Sequence, residues 1–322
     1  MAKEKVLVTR KIPQAGIELL RAQDYDLVIG GDEPMPRAEL LRAFAGQDAI
    51  LCLLHDAIDE EAIEAANGVR VFSNLAVGFN NIDTEACKAH GIRVTNTPDV
   101  LTDATADLAW TLLLATARRV VECDKFMREG NYHGWGPLML LGADVTGQTI
   151  GIIGAGRIGR VVAERAKGFR MRILYHDEIA QPHVGEWEKE MGAQHVSLDT
   201  LLAESDFVTV HCPLIPETTH LIGAPELKKM KKSAILINDA RGPIIDEAAL
   251  VEALKNGEIA GAGLDVFENE PEMAPGLAEL ENTVLLPHLG SATHNTRDDM
   301  ATLAANNLIA VLNGEEPPAP VV

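Results

Sequence analysis

Aromatic residues are scarce, 4% of 322 positions: Trp 3, Tyr 3 and Phe 7. A core with so few rings must rest on aliphatic side chains, and a hydrophobic content of 47% supplies them. Only four cysteines occur, Cys52, Cys87, Cys123 and Cys212, far apart and without a CxxC pair. That spacing excludes a disulfide framework and a structural zinc site, and no metal is expected. Cys52 and Cys212 fall in apolar strand-like runs, where a buried free thiol is the simplest role. Positive charge is short as well: 28 Lys+Arg stand against 48 Asp+Glu, a net charge of −20. Such a field repels phosphate backbones and anionic lipid, so neither nucleic acid nor a membrane is an expected partner. An anionic small molecule is still admissible where a local Arg inverts the potential. No uncharged apolar run approaches the roughly 18 residues that a spanning helix needs. The N-terminal MetAlaLysGluLysValLeuVal enters a strand without an apolar leader. Together these absences point to a reducing cytoplasm.

What the chain has is βα repetition, twice. Short β-branched runs alternate with amphipathic stretches, the pattern of parallel sheets covered by helices on both faces. The first series predicts strands at Val6–Thr9, Asp26–Ile29, Ala49–Leu54, Val69–Ser73 and Ile92–Thr95. Helices are expected between them at Gln14–Arg21, Arg37–Phe44, Asp59–Ala66 and Thr84–His90. Apolar residues at helical spacing through Ala104–Arg128 predict one long helix crossing between two domains, with an ordinary core helix as the alternative. An irregular covering loop is expected over Gly130–Asp144, around Trp135 and Pro137. The second series predicts strands at Ile150–Ile153, Arg172–Tyr175, Phe207–His211, Ala234–Asn238, Gly261–Val266 and Thr283–Leu286. Its helices are expected at Arg157–Gly168, Leu198–Ala203, Ala224–Lys229 and Glu247–Asn256. A last helix, Thr296–Leu312, is stopped by GluGluProProAlaPro, and the pattern permits it to pack back onto the first domain.

The second series opens with Gly154-x-Gly156-x-x-Gly159 between a strand and a helix. In a dinucleotide fingerprint the first glycine permits the tight turn, the second lets backbone approach a pyrophosphate, and the third lets helix pack on strand. The phosphates would sit on the amides of the helix beginning at Arg157. The next strand ends in Tyr175-His176-Asp177, and Asp177 stands about 20 residues past the glycines, where a carboxylate holds the adenosine ribose. A carboxylate accepts hydrogen bonds from the free diol of NAD and repels the 2′-phosphate of NADP. No Arg or Lys follows in Glu178–Pro182, so NAD(H) is favoured over NADP(H). His176 is the one ambiguous group, since its protonated form would tolerate the phosphate.

Ligands of open α/β sheets bind past the carboxyl ends of the strands, and three later strand ends carry unusual polar residues. These are Arg241, Glu270 and His288. Hydride transfer to a 2-oxo acid needs a cation for the substrate carboxylate and a proton donor for the developing alkoxide. Arg241 suits the first task through its planar fork and His288 the second, with Glu270 fixing the ring tautomer. Taken singly, each has a plainer alternative. Arg241 could tie a loop, His288 could be a satisfied histidine beside Pro287, and Glu270 could be solvated surface beside Glu268 and Glu272.

Six segments make the resemblance specific: AsnLeuAlaValGlyPheAsnAsnIleAsp from Asn74, AsnThrProAspValLeuThrAspAlaThrAlaAsp from Asn96, and the fingerprint at Gly154. AlaArgGlyProIleIleAspGlu from Ala240, LeuAspValPheGluAsnGluPro from Leu264 and ProHisLeuGlySer from Pro287 complete them. Spanning nearly the whole chain, they resemble the D-isomer-specific 2-hydroxyacid dehydrogenases, and within that family the glyoxylate/hydroxypyruvate reductases. The resemblance implies two doubly wound parallel-sheet domains, a Rossmann coenzyme domain at 101–290 inserted in a flavodoxin-like substrate domain at 1–100 plus 291–322. It places the family's catalytic Arg, Glu and His on Arg241, Glu270 and His288. Substrate contacts would come from Leu54, the amides of Val77 and Gly78, Trp135, Arg241 and His288.

Coenzyme contacts would come from Thr105, Gly154, Gly156, Arg157, Ile158, Gly159, His176, Asp177, Cys212, Pro213, Thr218, Asp239, Ala240, Asp265, Gly290 and Ser291. Asp265 would accept from the nicotinamide carboxamide, with a turn cap as its alternative role. The family is dimeric through its coenzyme domains, and Trp135 would wall the partner's substrate pocket, unless it is core packing. Two departures stand out: Asp239 where the family usually has a small hydroxyl residue or alanine, and TyrHisAsp instead of the SerArg pair of NADP-using reductases. The implied activity is reversible NADH-dependent reduction of glyoxylate and hydroxypyruvate. Phosphoglycerate, phosphite or formate oxidation is the alternative within the scaffold, and an NAD-sensing corepressor-like binding protein is the alternative outside enzymes.

Overall fold

The computed structural model describes residues 3–178 and 184–322. The chain divides into two compact units, Met1–Leu101 with Ser291–Val322 and Thr102–Gly290. Among the described residues no helix is long and apolar enough to cross a membrane.

The discontinuous unit runs β1 (Lys5–Val8), α1 (Gln14–Arg21), β2 (Asp26–Ile29), α2 (Arg37–Phe44), β3 (Ala49–Cys52), α3 (Glu60–Ala65), β4 (Val71–Asn74), α4 (Thr84–Ala89) and β5 (Arg93–Thr95). Its sheet is parallel in the order β2-β1-β3-β4-β5, the flavodoxin-like order. Every residue of β3 and β4 is buried, as strands covered on both faces require. Asp59 and Asp83 start α3 and α4 by accepting from the amides of Ala62 and Ala86. The C-terminal helix, His294–Leu312, lies against α1 and the sheet of this unit. Ser73 donates to the carbonyl of Ala304 at 2.8 Å, and buried Asn307 donates to that of Asn96 at 2.9 Å. Beyond that helix the prolines leave an extended tail, whose Val321 amide donates to Val94 on β5.

The second unit opens with α5 (Thr102–Ala117) and α6 (Val120–Arg128). One helix over 104–128 is therefore corrected to two, both inside this unit. The break is tertiary in origin. Arg119 takes a left-handed φ of 53°, its guanidinium bridges to both Glu122 oxygens at 2.7 Å, and the Ala143 amide occupies the carbonyl of Ala117. The Gly130–Asp144 stretch is irregular, as expected.

There follow β6 (Thr149–Ile153), α7 (Arg157–Gly168), β7 (Arg172–His176), α8 (Val184–Met191), β8 (Gln194–His195), α9 (Leu198–Glu204), β9 (Phe207–Val210), α10 (Ala224–Lys229), β10 (Ile235–Asn238), α11 (Glu247–Lys255), β11 (Gly261–Leu264) and β12 (Thr283–Leu285). The pattern had not signalled α8 and β8. The seven strands are parallel in the order β12-β11-β10-β9-β6-β7-β8, a Rossmann sheet whose direction of winding reverses between β6 and β9. Two of the few aromatics join helices here: Trp110 stacks on Phe169 at 4.7 Å and donates to the carbonyl of Val162, fastening α5 to α7. All four cysteines are free, Cys52 buried in β3 and Cys212 half-buried past β9, where burial pushes its thiol up to about 12.

Candidate active site

The glycine turn lies at the switch point. Gly154 has φ +97°, and a side chain there would meet the Cys212 amide at 2.6 Å, so only glycine lets β6 turn against the end of β9. A side chain on Gly159 would strike the Gly154 carbonyl at 2.0 Å, so α7 could not close on the strand. Around Gly156 a side chain would meet nothing within 4 Å, and as the N-cap of α7 this glycine brings no capping side chain of its own. The first turn of such a helix is a natural anion site. Asp177, just past β7, accepts from the Ala155 amide at 2.7 Å and so stands beside that turn. His176 donates through Nδ1 to the Val196 carbonyl at 3.1 Å, with Glu178 at 3.9 Å from Nε2. Residues 179–182 of the segment without Arg or Lys lie outside the described residues. This donor set fits a dinucleotide: a glycine-capped helix start for a diphosphate, and a carboxylate at the end of the second strand for a ribose diol.

On the other side of the switch point, three turns converge. Past β10, Asn238 clasps its own turn: its Nδ2 donates to the Arg241 carbonyl at 2.9 Å and its Oδ1 accepts from Ala240 at 3.1 Å. The Arg241 guanidinium donates to the Ala240 carbonyl at 2.7 Å. Burial lowers its pKa, and the charge of Glu270 opposes that fall. Gly242 permits the closest approach, since a side chain there would lie 1.9 Å from the Phe267 backbone. Past β11, Glu270 accepts from the Phe267 amide at 3.1 Å and from His288 Nδ1 at 2.9 Å. An ionised carboxylate only accepts, so Nδ1 carries the proton and Nε2 is the ring nitrogen turned away from Glu270. His288 holds a left-handed φ of 56°, its amide bonded to the Asp265 carbonyl at 2.8 Å.

Asp265 receives the Leu289 and Gly290 amides at 2.6 and 2.8 Å, so the turn cap is the role on display. Burial raises its pKa, which those two donors oppose. Glu268 is not mere solvated surface. It accepts from the Glu247 amide at 3.2 Å and from His220 at 2.7 Å, while Glu247 accepts from the amides of Glu268 and Ala274 at 2.7 and 2.8 Å. This reciprocal tie fixes the loop that carries Glu270. Asn238, Glu247 and His220 escaped the sequence reading; the single available signal was polar residues at the edges of buried apolar runs.

Other expected contacts distribute as follows. Thr105 is buried in α5 beside Gly290, and Arg157 and Ile158 open α7. Pro213 is exposed, and the Thr218 hydroxyl is engaged in the same loop, donating to the Pro213 carbonyl at 2.6 Å. Asp239 hides its carboxyl beneath the Ala240 turn, 3.3 Å from His211. Trp135 is 79% exposed, which excludes core packing within this chain. In the other unit, Leu54 is half-buried. There Asn96 and Asn74 hold the carbonyls of Val77 and Gly78 at 2.8 and 2.9 Å, fixing the turn that bears their amides. Ser291 is half-buried in that unit.

Residues 110–290 match the D-isomer specific 2-hydroxyacid dehydrogenase, NAD binding domain model. The chain is 53% identical over 321 residues to the glyoxylate reductase of Thermococcus onnurineus, covering 98% of this chain and 95% of that protein. Its fold superposes on a Thermus thermophilus protein with a TM-score of 0.92 at 45% identity, over 99% of this chain and 100% of the other. An NADPH-dependent glyoxylate/hydroxypyruvate reductase of Sinorhizobium meliloti, solved with NADP and malonate, gives 0.88 at 33% identity, over 100% and 97%. The glycine turn, the strand-end residues and these matches agree: the chain belongs to the D-isomer specific 2-hydroxyacid dehydrogenase family and is an NAD-binding oxidoreductase.

Proposed function

We propose that the protein reduces glyoxylate to glycolate and hydroxypyruvate to D-glycerate, reversibly, with NADH as the preferred coenzyme. The observation that carries this reading is the 2.9 Å bond from His288 Nδ1 to Glu270, in the same unit as the dinucleotide turn and Arg241. The name of the Thermococcus relative supports the substrate. Thr102–Gly290 acts as the coenzyme domain and the discontinuous unit as the substrate domain. The first turn of α7 holds the diphosphate, and Asp177 holds the adenosine ribose.

The bound coenzyme supplies the hydride. Arg241 neutralises the substrate carboxylate, its cationic fork suited to a planar anion. The substrate domain would offer the Val77 and Gly78 amides as its own donors for the acid. His288 delivers the proton from Nε2 to the carbonyl oxygen as negative charge develops there, and takes it back in the oxidative direction. Glu270 keeps the ring in that orientation. The Sinorhizobium neighbour uses NADP, so the preference for NAD rests on Asp177 and Glu178, both of which repel a 2′-phosphate.

The protein acts as a homodimer. Helix α6 buries none of its residues; Val120, Val121, Met127, Leu138 and Leu141 are exposed, and Val121 and Leu141 line a groove of about 430 Å³. Trp135 then reaches the partner's substrate pocket. A monomer in sedimentation equilibrium at micromolar concentration would refute this. Free thiols, two of them buried, suit the cytoplasm.

Steady-state oxidation of NADH and of NADPH, with glyoxylate and hydroxypyruvate, tests the reading. Turnover with both acids and a higher kcat/KM with NADH are expected. Tight NAD binding without turnover of any small 2-oxo acid would make the protein a sensor instead.

A further inference from the structure

Strands β9, β10 and β11 pair in register, Val210 with Asn238 and Asn238 with Leu264. The residues that follow, His211, Asp239 and Asp265, therefore stand in one row across three strand ends. The row begins at the switch point, where the His211–Cys212 backbone abuts Gly154. It ends at the turn that carries His288, whose amide and the next two bond Asp265. Open α/β sheets bind their ligands past these strand ends.

Within the row, Asp239 is the exception. Its side chain is 0% exposed and neither carboxyl oxygen has a hydrogen-bond partner. Oδ1 lies 3.3 Å from Nδ1 of His211, itself 1% exposed, and Nε2 of that ring meets the Thr209 hydroxyl at 2.8 Å. The ionisable groups facing Asp239 are His211 on the β9 side and Asp265 on the β11 side; in its own turn, the Arg241 guanidinium is directed to the Ala240 carbonyl. A buried carboxylate without a donor, beside a second carboxylate, is strongly disfavoured. Burial and the nearby Asp265 push the Asp239 carboxyl well up, while burial pushes His211 down to about 3. The state that satisfies both is neutral: protonated Oδ1 faces an unprotonated Nδ1, and Nε2–H donates to Thr209. The pair then holds one dissociable proton and no net charge.

We propose that Asp239 and His211 form a buried proton-holding pair linked to the charge of the coenzyme, giving up its proton when the cationic oxidised coenzyme binds and keeping it when the reduced one does. In that step the Asp239 O–H bond breaks, the proton passes to solvent, and no electrons move. The positive charge of the oxidised coenzyme would compensate the carboxylate left behind. By linkage, the affinity for NAD⁺ rises with pH, by up to about tenfold per unit below the titration of the pair, while NADH affinity does not follow. Falling pH thus speeds release of oxidised coenzyme and favours the reductive direction.

This inference rests on the coenzyme binding proposed above. Calorimetric titration of the intact protein with NAD⁺ and with NADH, in two buffers of different ionisation enthalpy near neutral pH, counts protons released. The wild type should release more protons with NAD⁺ than with NADH, and D239N should lose that difference; contributions from His288 are common to both proteins and cancel. Infrared difference spectra of the wild type, which need no variant to fold, should show a protonated carboxyl stretch disappearing as NAD⁺ binds. Equal proton counts in wild type and D239N, or no such stretch in the wild type, overturn the proposal. If neither coenzyme binds at all, the dehydrogenase reading fails, and this one with it.

Discussion

Asp56 in the discontinuous unit and Asp239 in the other are both buried acids in turns that follow a parallel strand, and their surroundings differ sharply. Asp56 accepts from the Thr9 hydroxyl at 2.6 Å and the Leu53 amide at 2.8 Å. Asp239 accepts from nothing and has a histidine ring 3.3 Å away. The contrast extends beyond these two side chains. Several buried polar groups of the first unit stitch its elements together: Ser73 accepts from the Thr95 hydroxyl and donates to Ala304, and Asn307 bonds Asn96 and Ala319. At the strand ends of the second unit, ionisable groups stand next to one another, Asp239 beside Asp265 and Glu270 beside His288. One arrangement gives stability; the other gathers ionisable groups whose protonation a charged ligand would shift.

The comparison can be broken by substitution. The largest effect is expected from H288A, which removes the only proton donor assigned to the reaction. The kcat for glyoxylate should fall on the order of 10²–10⁴-fold, with NADH affinity by fluorescence titration nearly unchanged. A matching loss of coenzyme binding would make His288 a structural residue like those of the other unit.

A smaller, paired effect concerns the two buried acids. D56A orphans the hydroxyl of Thr9 and the amide of Leu53 and should cost about 1–3 kcal/mol in urea unfolding. D239N should act in the opposite sense. Because the Asp239 pKa is raised on folding, the folded chain holds that proton to higher pH than the unfolded chain does. Wild-type stability is therefore lost as pH climbs from about 4 toward the folded value, and D239N escapes that loss. Its melting temperature should exceed that of the wild type at pH 8 and come closer to it at pH 5. Two substitutions that destabilise alike, with no dependence on pH, would erase the distinction between the units.

Much of the architecture was legible. The helices at Gln14–Arg21, Arg37–Phe44, Arg157–Gly168 and Ala224–Lys229 begin and end where the apolar periodicity does. Asp59, Asp83, Ser197 and Asp246 cap their helices with local side-chain bonds. Such signals lie within a few residues of what they specify. The break between α5 and α6 was not legible, because the group that takes the carbonyl of Ala117 belongs to Ala143. Arg241, Glu270 and His288 stood out individually as polar residues after apolar strands. The tie among Glu247, Glu268 and His220 did not, because residues of like charge read as solvated until a fold brings backbone amides to them.

The sequence by itself determined the two βα series, the glycine turn and the polar residues at the strand ends, since hydrophobic period and turn chemistry act over neighbouring positions. Only the tertiary structure decided that His288 meets Glu270, that Asp265 spends its oxygens on two amides, and that Asp239 has none to receive. Those outcomes depend on which strands lie side by side and in what register. Packing of the whole sheet settles that, and no short stretch of chain encodes it.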